Sequence, residues 1–150
     1  MREVLYRGKR TDTGEWVYGF VVDDFISGDL YITHRQSEAH RIIQETVGQY
    51  TGLLDKNGVK IFEGDILRYE SAFNYDLAEK SKTEDDPDDM INHEWVIGKV
   101  VWGGDYGYPA FDLEPNYSEC NGLAEFQSEN YFYEVIGNCF DNPELLEEVK

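Results

Sequence analysis

The 150-residue chain is 41% hydrophobic and 15% aromatic, which suffices for one folded domain and excludes a chain that is disordered throughout. Its 31 acidic and 13 basic residues give a formal net charge of −18. That field repels nucleic acid backbones, so we expect no direct nucleic-acid binding, although a basic protein partner is compatible with it. With no apolar signal core and no stretch approaching the roughly 20 apolar residues of a membrane span, we expect a cytoplasmic protein without membrane association.

The N-terminal third reads as a β-hairpin. Residues 4–9 form the first strand, residues 11–14 the turn, and residues 15–22 the return strand. Period-two alternation places four large residues on one face of the return strand, namely Trp16, Tyr18, Phe20 and Val22. The opposite face is also apolar, which indicates a central strand. The aromatic row could be a ligand platform, but a row packed in the core is the favoured interpretation.

The next strands are at residues 30–35 and at residues 40–45, the latter as a strand or a short extended segment. A central hairpin follows, with the tetrapeptide DKNG at residues 55–58 between two apolar segments. The Asn-Gly pair predicts a tight turn of the primed type with a positive φ at Gly58. Gly64 then bends the chain into a strand at residues 66–69, as at the corner of a small barrel.

The chain changes character at residues 71–92, which are mainly polar. Like charges and Pro87 oppose a helix across an acidic run made of Glu84, Asp85, Asp86, Asp88 and Asp89. We predict an exposed, mobile acidic insertion at residues 71–92 that proteases cut first, near Lys80 or Lys82.

The final strands are predicted at residues 95–102, 110–113 and 131–136, and a short helix begins around Asp141, Asn142 and Pro143. No alternation of strands with long helices indicates a parallel βαβ arrangement. The prediction is a single domain over residues 1–150, mainly β and antiparallel. It contains a small SH3-like barrel or bent sheet, an N-terminal hairpin and a short C-terminal helix.

Three segments resemble the YopX family of phage and prophage proteins. They are VGQYTGLLDKNGVKIFEGDI at residues 47–66, YRGKR at 6–10 followed by GEWVYG at 14–19, and VIGN at 135–138 followed by NPELL at 142–146. Their order and spacing extend the resemblance over almost the whole chain. The resemblance implies a prophage origin, a β-rich fold and an unassigned function, and it carries over no catalytic residue. The acidic segment before His93 departs from the family as an enlarged variable loop.

The metal-ligating residue types form no convincing site. The only histidines are His34, His40 and His93. His34 and His40 could meet across a hairpin as zinc ligands sometimes do, but no cysteine pair completes a set. The acidic run lacks the ordered glycine and the terminal glutamate of a calcium loop. Cys120 and Cys139 form no CxxC motif and are expected to be free thiols, with Cys139 buried.

No GxSxG, P-loop or GxGxxG motif is present, and acidic residues are too numerous for any pair to stand out. We therefore predict a protein that is not an enzyme, with no catalytic, cofactor-binding or metal-binding residues. The leading hypothesis is a module that binds a protein partner or associates with itself. Its anchors would be exposed aromatics, unless these pack locally in loops: Tyr106, Tyr108, Tyr117 and Phe126.

Two alternatives belong to other classes. The first is an acidic DNA mimic that occupies the basic groove of a host protein. Its phosphate-like charges would come from the acidic run at residues 84–89, with Asp23, Asp24 and Asp29 as a second group. The second alternative is an unrecognised hydrolase, since catalytic groups can be brought together from distant parts of a chain.

Overall fold

The alternating apolar segments form two antiparallel sheets. The computed structural model describes residues 3–34, 38–70, 95–103, 110–114 and 133–147. Within these ranges lie ten strands and one short helix, whose bounds are β1 Tyr6–Lys9, β2 Trp16–Asp23, β3 Leu30–Thr33, β4 His40–Arg41, β5 Gly48–Leu54, β6 Lys60–Phe62, β7 Asp65–Glu70, β8 Trp95–Trp102, β9 Phe111–Glu114, β10 Glu134–Asn138 and α1 Glu144–Glu147. The mainly β, antiparallel prediction is confirmed.

The first sheet has six strands in the order β4-β3-β2-β1-β5-β6. The predicted N-terminal hairpin is β1 and β2, paired from Tyr6 opposite Gly19 to Lys9 opposite Trp16. β1 also pairs with β5, so the hairpin is an integral part of the larger sheet. β2 has a neighbour on each side, as its two apolar faces predict.

The second sheet has four strands in the order β10-β7-β8-β9. Its inner face supplies most of a buried core, to which β6 adds one residue; the members are Ile61, Leu67, Tyr69, Val100, Phe111, Leu113 and Tyr133. The core therefore lies between the second sheet and the β5–β6 hairpin, which belongs to the first. Burial of these large side chains supplies the main stabilisation of this contact.

The two sheets are joined at a sharp corner. β6 lies in the first sheet and β7 in the second, with only Glu63 and Gly64 between them. Gly64 has φ 90°, a backbone conformation that costs a residue with a Cβ about 1–2 kcal/mol. Its N–H donates to Val100 O and its carbonyl accepts from Cys139 N, both at 2.9 Å. The predicted corner is confirmed as a bend between two sheets, and the described residues contain no closed barrel.

The central hairpin turn differs in detail from the predicted Asn-Gly turn. Gly58 has φ 81°, as expected. Its N–H donates to Asp55 O at 3.0 Å, however, and Asp55 N donates to Val59 O at 2.8 Å. This is the pattern of a three-residue loop that ends in a glycine bulge, and not of a two-residue primed turn. The Asp55 side chain favours the longer loop, because its Oδ1 accepts from Asn57 N and Val59 N.

The predicted strand at residues 40–45 is shorter than expected. It ends at Arg41, and a 3₁₀ turn spans Gln44–Thr46. Thr46 explains the change, since its hydroxyl donates to Ile43 O at 2.6 Å and accepts from Lys9 N at 2.9 Å. The bond to Ile43 is local and competes with strand pairing, and the bond from Lys9 fixes the turn against β1.

The C-terminal helix begins where predicted but consists of one turn. The Asp141 and Asn142 side chains before it bond to groups outside the helix. Asn142 Oδ1 accepts from Asn138 N at 3.3 Å, and the Asp141 carboxylate binds Trp16 and Lys9. The acidic insertion at residues 71–92 lies outside the described residues, so its mobility and the single-domain organisation stay predictions.

Candidate functional site: a buried ion pair and an exposed apolar strip

A buried ion pair joins the first strand to the corner between the sheets. Arg7 Nη2 lies 2.7 Å from Asp65 Oδ1, and the two side chains are 7% and 3% exposed. The Arg7 guanidinium carbon also lies 4.7 Å from the ring centroid of Trp16 and 4.9 Å from that of Phe62. Two aromatic rings therefore face the cation, an arrangement that stabilises a charge removed from water.

The Asp65 carboxylate is fully engaged in this structure. Its Oδ2 accepts from Phe62 N at 2.8 Å, which fastens the turn between β6 and β7. Burial raises the pKa of Asp65, and the positive charge of Arg7 opposes that rise. The raised pKa follows from desolvation of a carboxylate at the junction of two sheets.

The chain returns to the same place near its C-terminal end. Asp141 Oδ2 accepts from Trp16 Nε1 at 2.8 Å and from Asn138 Nδ2 at 3.0 Å, and Oδ1 pairs with Lys9. Hydrogen bonds from Lys9, Trp16 and Asn138 lower the pKa of Asp141 to about 2. The Phe140 ring lies 6.0 Å from that of Trp16. The C-terminal segment is thus fixed to the N-terminal hairpin.

Asp55 is a second buried acid with a structural role. Besides its two bonds within the turn, its Oδ2 accepts from Val135 N at 3.1 Å. A carboxylate that accepts three backbone N–H groups holds β10 against the central hairpin. Asp55 and Asp65 are the natural candidates for a carboxylate pair, yet the oxygens of each are occupied by groups that hold the backbone.

An exposed apolar strip runs along β2 and into the loop after it. Tyr18, Phe20 and Val22 share a face of β2 and are 47%, 49% and 47% exposed. The favoured interpretation of this row as core is therefore wrong for these three residues. Arg7 and Phe140 lie against Trp16, and one edge of Tyr18 packs on Phe62, with ring centroids 5.5 Å apart. No described layer buries Phe20 and Val22. Side chains on one face of a strand become core only where another part of the chain packs over that face. Sequence alone did not show which faces are covered in this way.

The strip ends in a tip pair, Phe25 and Ile26, which are 95% and 99% exposed. The loop holds them outward, because Asp24 Oδ1 accepts from Ile26 N at 3.0 Å and Oδ2 accepts from Ser27 Oγ at 2.8 Å. Gly28 N donates to Asp24 O at 2.7 Å. The signal for this feature was two bulky apolar residues placed among turn-forming aspartate, serine and glycine.

The outer face of the second sheet offers a contrast. It carries ion pairs, with Arg68 Nη2 2.6 Å from Glu134 Oε2 and Lys99 Nζ 3.0 Å from Glu114 Oε2. Trp95 is exposed there, but the Arg68 guanidinium lies 5.0 Å from its ring centroid. Charged partners thus accompany the aromatic on this face, whereas the apolar strip presents neighbouring hydrophobic side chains to solvent.

The family model described as YopX protein matches residues 5–147. The chain belongs to the YopX family. The fold is similar to that of a solved structure titled protein EF1440 from Enterococcus faecalis, with a TM-score of 0.56 and 22% sequence identity over 97% of this chain and 99% of that one. No curated protein matches the sequence. Membership confirms the resemblance carried by the three motifs, and at this identity the solved structure supports the fold alone.

Only some of the site residues proposed from sequence for this YopX family member lie in the described ranges. His34 is exposed and His40 half-buried. In the ranges that the structure describes, no three His, Cys, Asp or Glu side chains form a group able to hold a metal ion. Cys139 is a partly buried free thiol whose pKa is raised by burial. Several candidates lie outside these ranges: His93, Cys120, the acidic run and the four aromatic anchors.

The second acidic group proposed for DNA mimicry is largely engaged. Asp24 binds within its own loop, and Asp29 Oδ1 lies 2.8 Å from Arg41 Nη2. Asp23 is exposed at the end of β2. Across the described parts of the chain, no helix has the length and apolar character needed to cross a bilayer.

Proposed function

We propose that this YopX family member is a non-enzymatic, cytoplasmic, prophage-encoded module that binds a protein partner, or a second copy of itself, through the apolar strip. The observation that carries the proposal is the strip itself: five neighbouring large apolar residues that are 47–99% exposed. Contiguous apolar patches on otherwise charged proteins mark interaction sites. Aromatic residues at the centre of such patches supply most of the binding energy.

The buried acids favour a binding module over a hydrolase. A general acid or base must reach a substrate and exchange a proton. Asp65 is held by Arg7 and Phe62 N, and Asp55 accepts from three backbone groups. Each carboxylate stabilises a turn or a strand pairing, so we assign both a structural role.

The geometry also favours an apolar interface over an acidic DNA mimic. A mimic needs carboxylates at fixed, phosphate-like positions that remain available to a basic groove. Asp29 is already paired with Arg41, so this group offers two neighbouring carboxylates, Asp23 and Asp24, and no extended row of them. A complex of unchanged affinity between roughly 50 and 300 mM salt would exclude the mimic.

The test compares wild type with Phe20→Thr/Val22→Thr, a pair of changes that keeps strand propensity and removes apolar surface. The matched control is Val4→Thr/Val59→Thr, whose two positions are each 48% exposed. Each tagged protein is used to capture partners from a bacterial lysate, with mass identification, and sedimentation velocity reports self-association. We expect the strip variant to lose the partner or the oligomer while the control retains it. Identical capture and sedimentation of the strip variant and wild type would contradict the proposal, as would a wild type with neither partner nor oligomer.

A further inference from the structure

The tip pair is the most exposed part of the strip, and acidic residues flank it. Asp23 and Asp24 precede Phe25 and Ile26, and Asp29 follows. Of these three, only Asp29 pairs with a cation among the described residues, through Arg41. Hydrogen bonds from Ile26 N and Ser27 lower the pKa of Asp24. The tip therefore presents two bulky apolar groups beside two carboxylates that no described cation neutralises.

We propose that Phe25 and Ile26 insert into an apolar pocket on a protein partner, and that lysine or arginine side chains line the rim of this pocket. The proposal rests on the proposed function and adds the chemical class of the partner. Docking the tip removes Asp23 and Asp24 from water along with the apolar pair. A carboxylate desolvated without a cation is unfavourable, so an uncharged or acidic rim would oppose docking. A basic rim pairs with both groups and attracts the negatively charged chain over distance.

The loop geometry suits this role. Three hydrogen bonds fix the tip: Asp24 to Ile26 N, Asp24 to Ser27 Oγ, and Gly28 N to Asp24 O. Gly28 has φ 75°, which a glycine adopts without strain. A preorganised loop loses little conformational entropy on docking.

Charge argues against two other occupants. A second copy of the chain would bring another net charge of −18 and its own Asp23 and Asp24 to the interface, and like charges in contact oppose association. The cytoplasmic face of a membrane carries anionic lipids, which repel the same tip. A cationic protein surface meets both the apolar and the electrostatic requirement.

The test uses a synthetic, dye-labelled amphipathic peptide of leucine and lysine, whose apolar stripe bordered by lysines stands for the proposed pocket and rim. A leucine and glutamate peptide of the same pattern is the charge control. Binding is measured by fluorescence anisotropy for wild type, Phe25→Ser/Ile26→Ser, Asp23→Asn, and the surface control Val4→Ser/Val59→Ser. Because the tip side chains are 95% and 99% exposed, the tip variant should fold normally, which circular dichroism checks.

We expect the leucine–lysine peptide to bind wild type and the surface control alike, and the tip variant about tenfold more weakly. Asp23→Asn should weaken binding about two-fold at low salt and less at high salt. The inference is overturned by equal binding to wild type and the tip variant, by equal binding of the glutamate peptide, or by no binding of the lysine peptide. Tip-dependent binding to phosphatidylcholine–phosphatidylglycerol vesicles would identify a membrane as the occupant of the tip instead. Tip-dependent dimerisation would identify a second copy of the chain. Loss of the lysate partner in the Phe20 and Val22 variant but not in the tip variant would leave the proposed function standing and remove this inference alone.

Discussion

Replacing Arg7 with methionine tests whether the buried ion pair holds the two sheets together. The substitution leaves the Asp65 carboxylate, 3% exposed, without its cation. Removing one partner of a buried pair costs about 3–5 kcal/mol, because the remaining charge is neither hydrated nor neutralised. Loss of the cation over the Trp16 and Phe62 rings adds about 0.5–1 kcal/mol for each ring, part of which methionine packing restores. We expect a loss of about 4 kcal/mol, a large share of the roughly 5–15 kcal/mol typical of a domain.

A double-mutant cycle in urea provides the measurement. Asp65→Asn alone should cost a similar amount, because it leaves Arg7 unpaired, while its amide oxygen can still accept from Phe62 N. The double variant buries no charge, so its loss should fall below the sum of the single losses by about 3 kcal/mol. Lys60→Met is the control; its pair with Glu3 has side chains that are 40% and 55% exposed, and its loss should stay under about 1 kcal/mol.

The same variant has a defined pH dependence. A carboxyl whose folded pKa is raised favours folding at low pH and loses that contribution as pH rises through the folded value. Burial raises the pKa of Asp65, and removing Arg7 raises it further. The deficit of Arg7→Met should therefore shrink as pH falls from 7 toward about 4. An Arg7→Met loss no larger than that of Lys60→Met, or an additive double variant, would refute the structural role.

Gly58→Val should lower the free energy of unfolding by about 1–2 kcal/mol, because φ 81° is a left-handed conformation, although no atom lies within 4 Å of the Cβ position. Gly58→Asn tolerates that φ and should cost less in the same denaturant melt; equal losses would point to another cause. Asp141 has a pKa of about 2, so its stabilisation is present above the unfolded pKa of about 3.9 and is lost as pH falls toward 2. Asp141→Asn should therefore flatten the plot of unfolding free energy against pH over that interval. The difference should be less than about 1 kcal/mol, since the Asp141 side chain is 39% exposed. A plot as steep as that of wild type would contradict the assignment.

Local chemistry made much of the fold predictable from the sequence. The strand at residues 95–102 has the predicted bounds, because its run of β-forming apolar residues and the glycine pair after it are local signals. The same holds for the positive φ at Gly58 and for the bend at Gly64. The predicted strand at residues 40–45 was too long because Thr46 forms a turn there. One partner of the Thr46 hydroxyl is Lys9 N, 37 positions away, and sequence alone does not reveal that contact.

The candidate site was harder to predict because it depends on tertiary layers. Arg7 and Asp65 meet only after two sheets have folded, and neither residue stands out in an acidic sequence. Phe20 alternates like a core residue and is nevertheless 49% exposed. The alternation of side chains along a strand assigns each residue to one face of the sheet. Whether that face is buried depends on elements far away in the chain.

The order of strands in the second sheet has a consequence for synthesis. β7 pairs with β8 on one side and with β10 on the other. The second edge of β7 therefore has no strand to pair with until β10 has been synthesised. The bonds from Asp141 to Trp16 and Lys9 span 125 and 132 positions. Contacts between such distant segments slow folding, and a growing chain cannot form them until Asp141 has left the ribosome. We expect the corner at Gly64 to close last, once Asp141 has emerged, and the edge of β7 that pairs with β10 to stay unpaired until then.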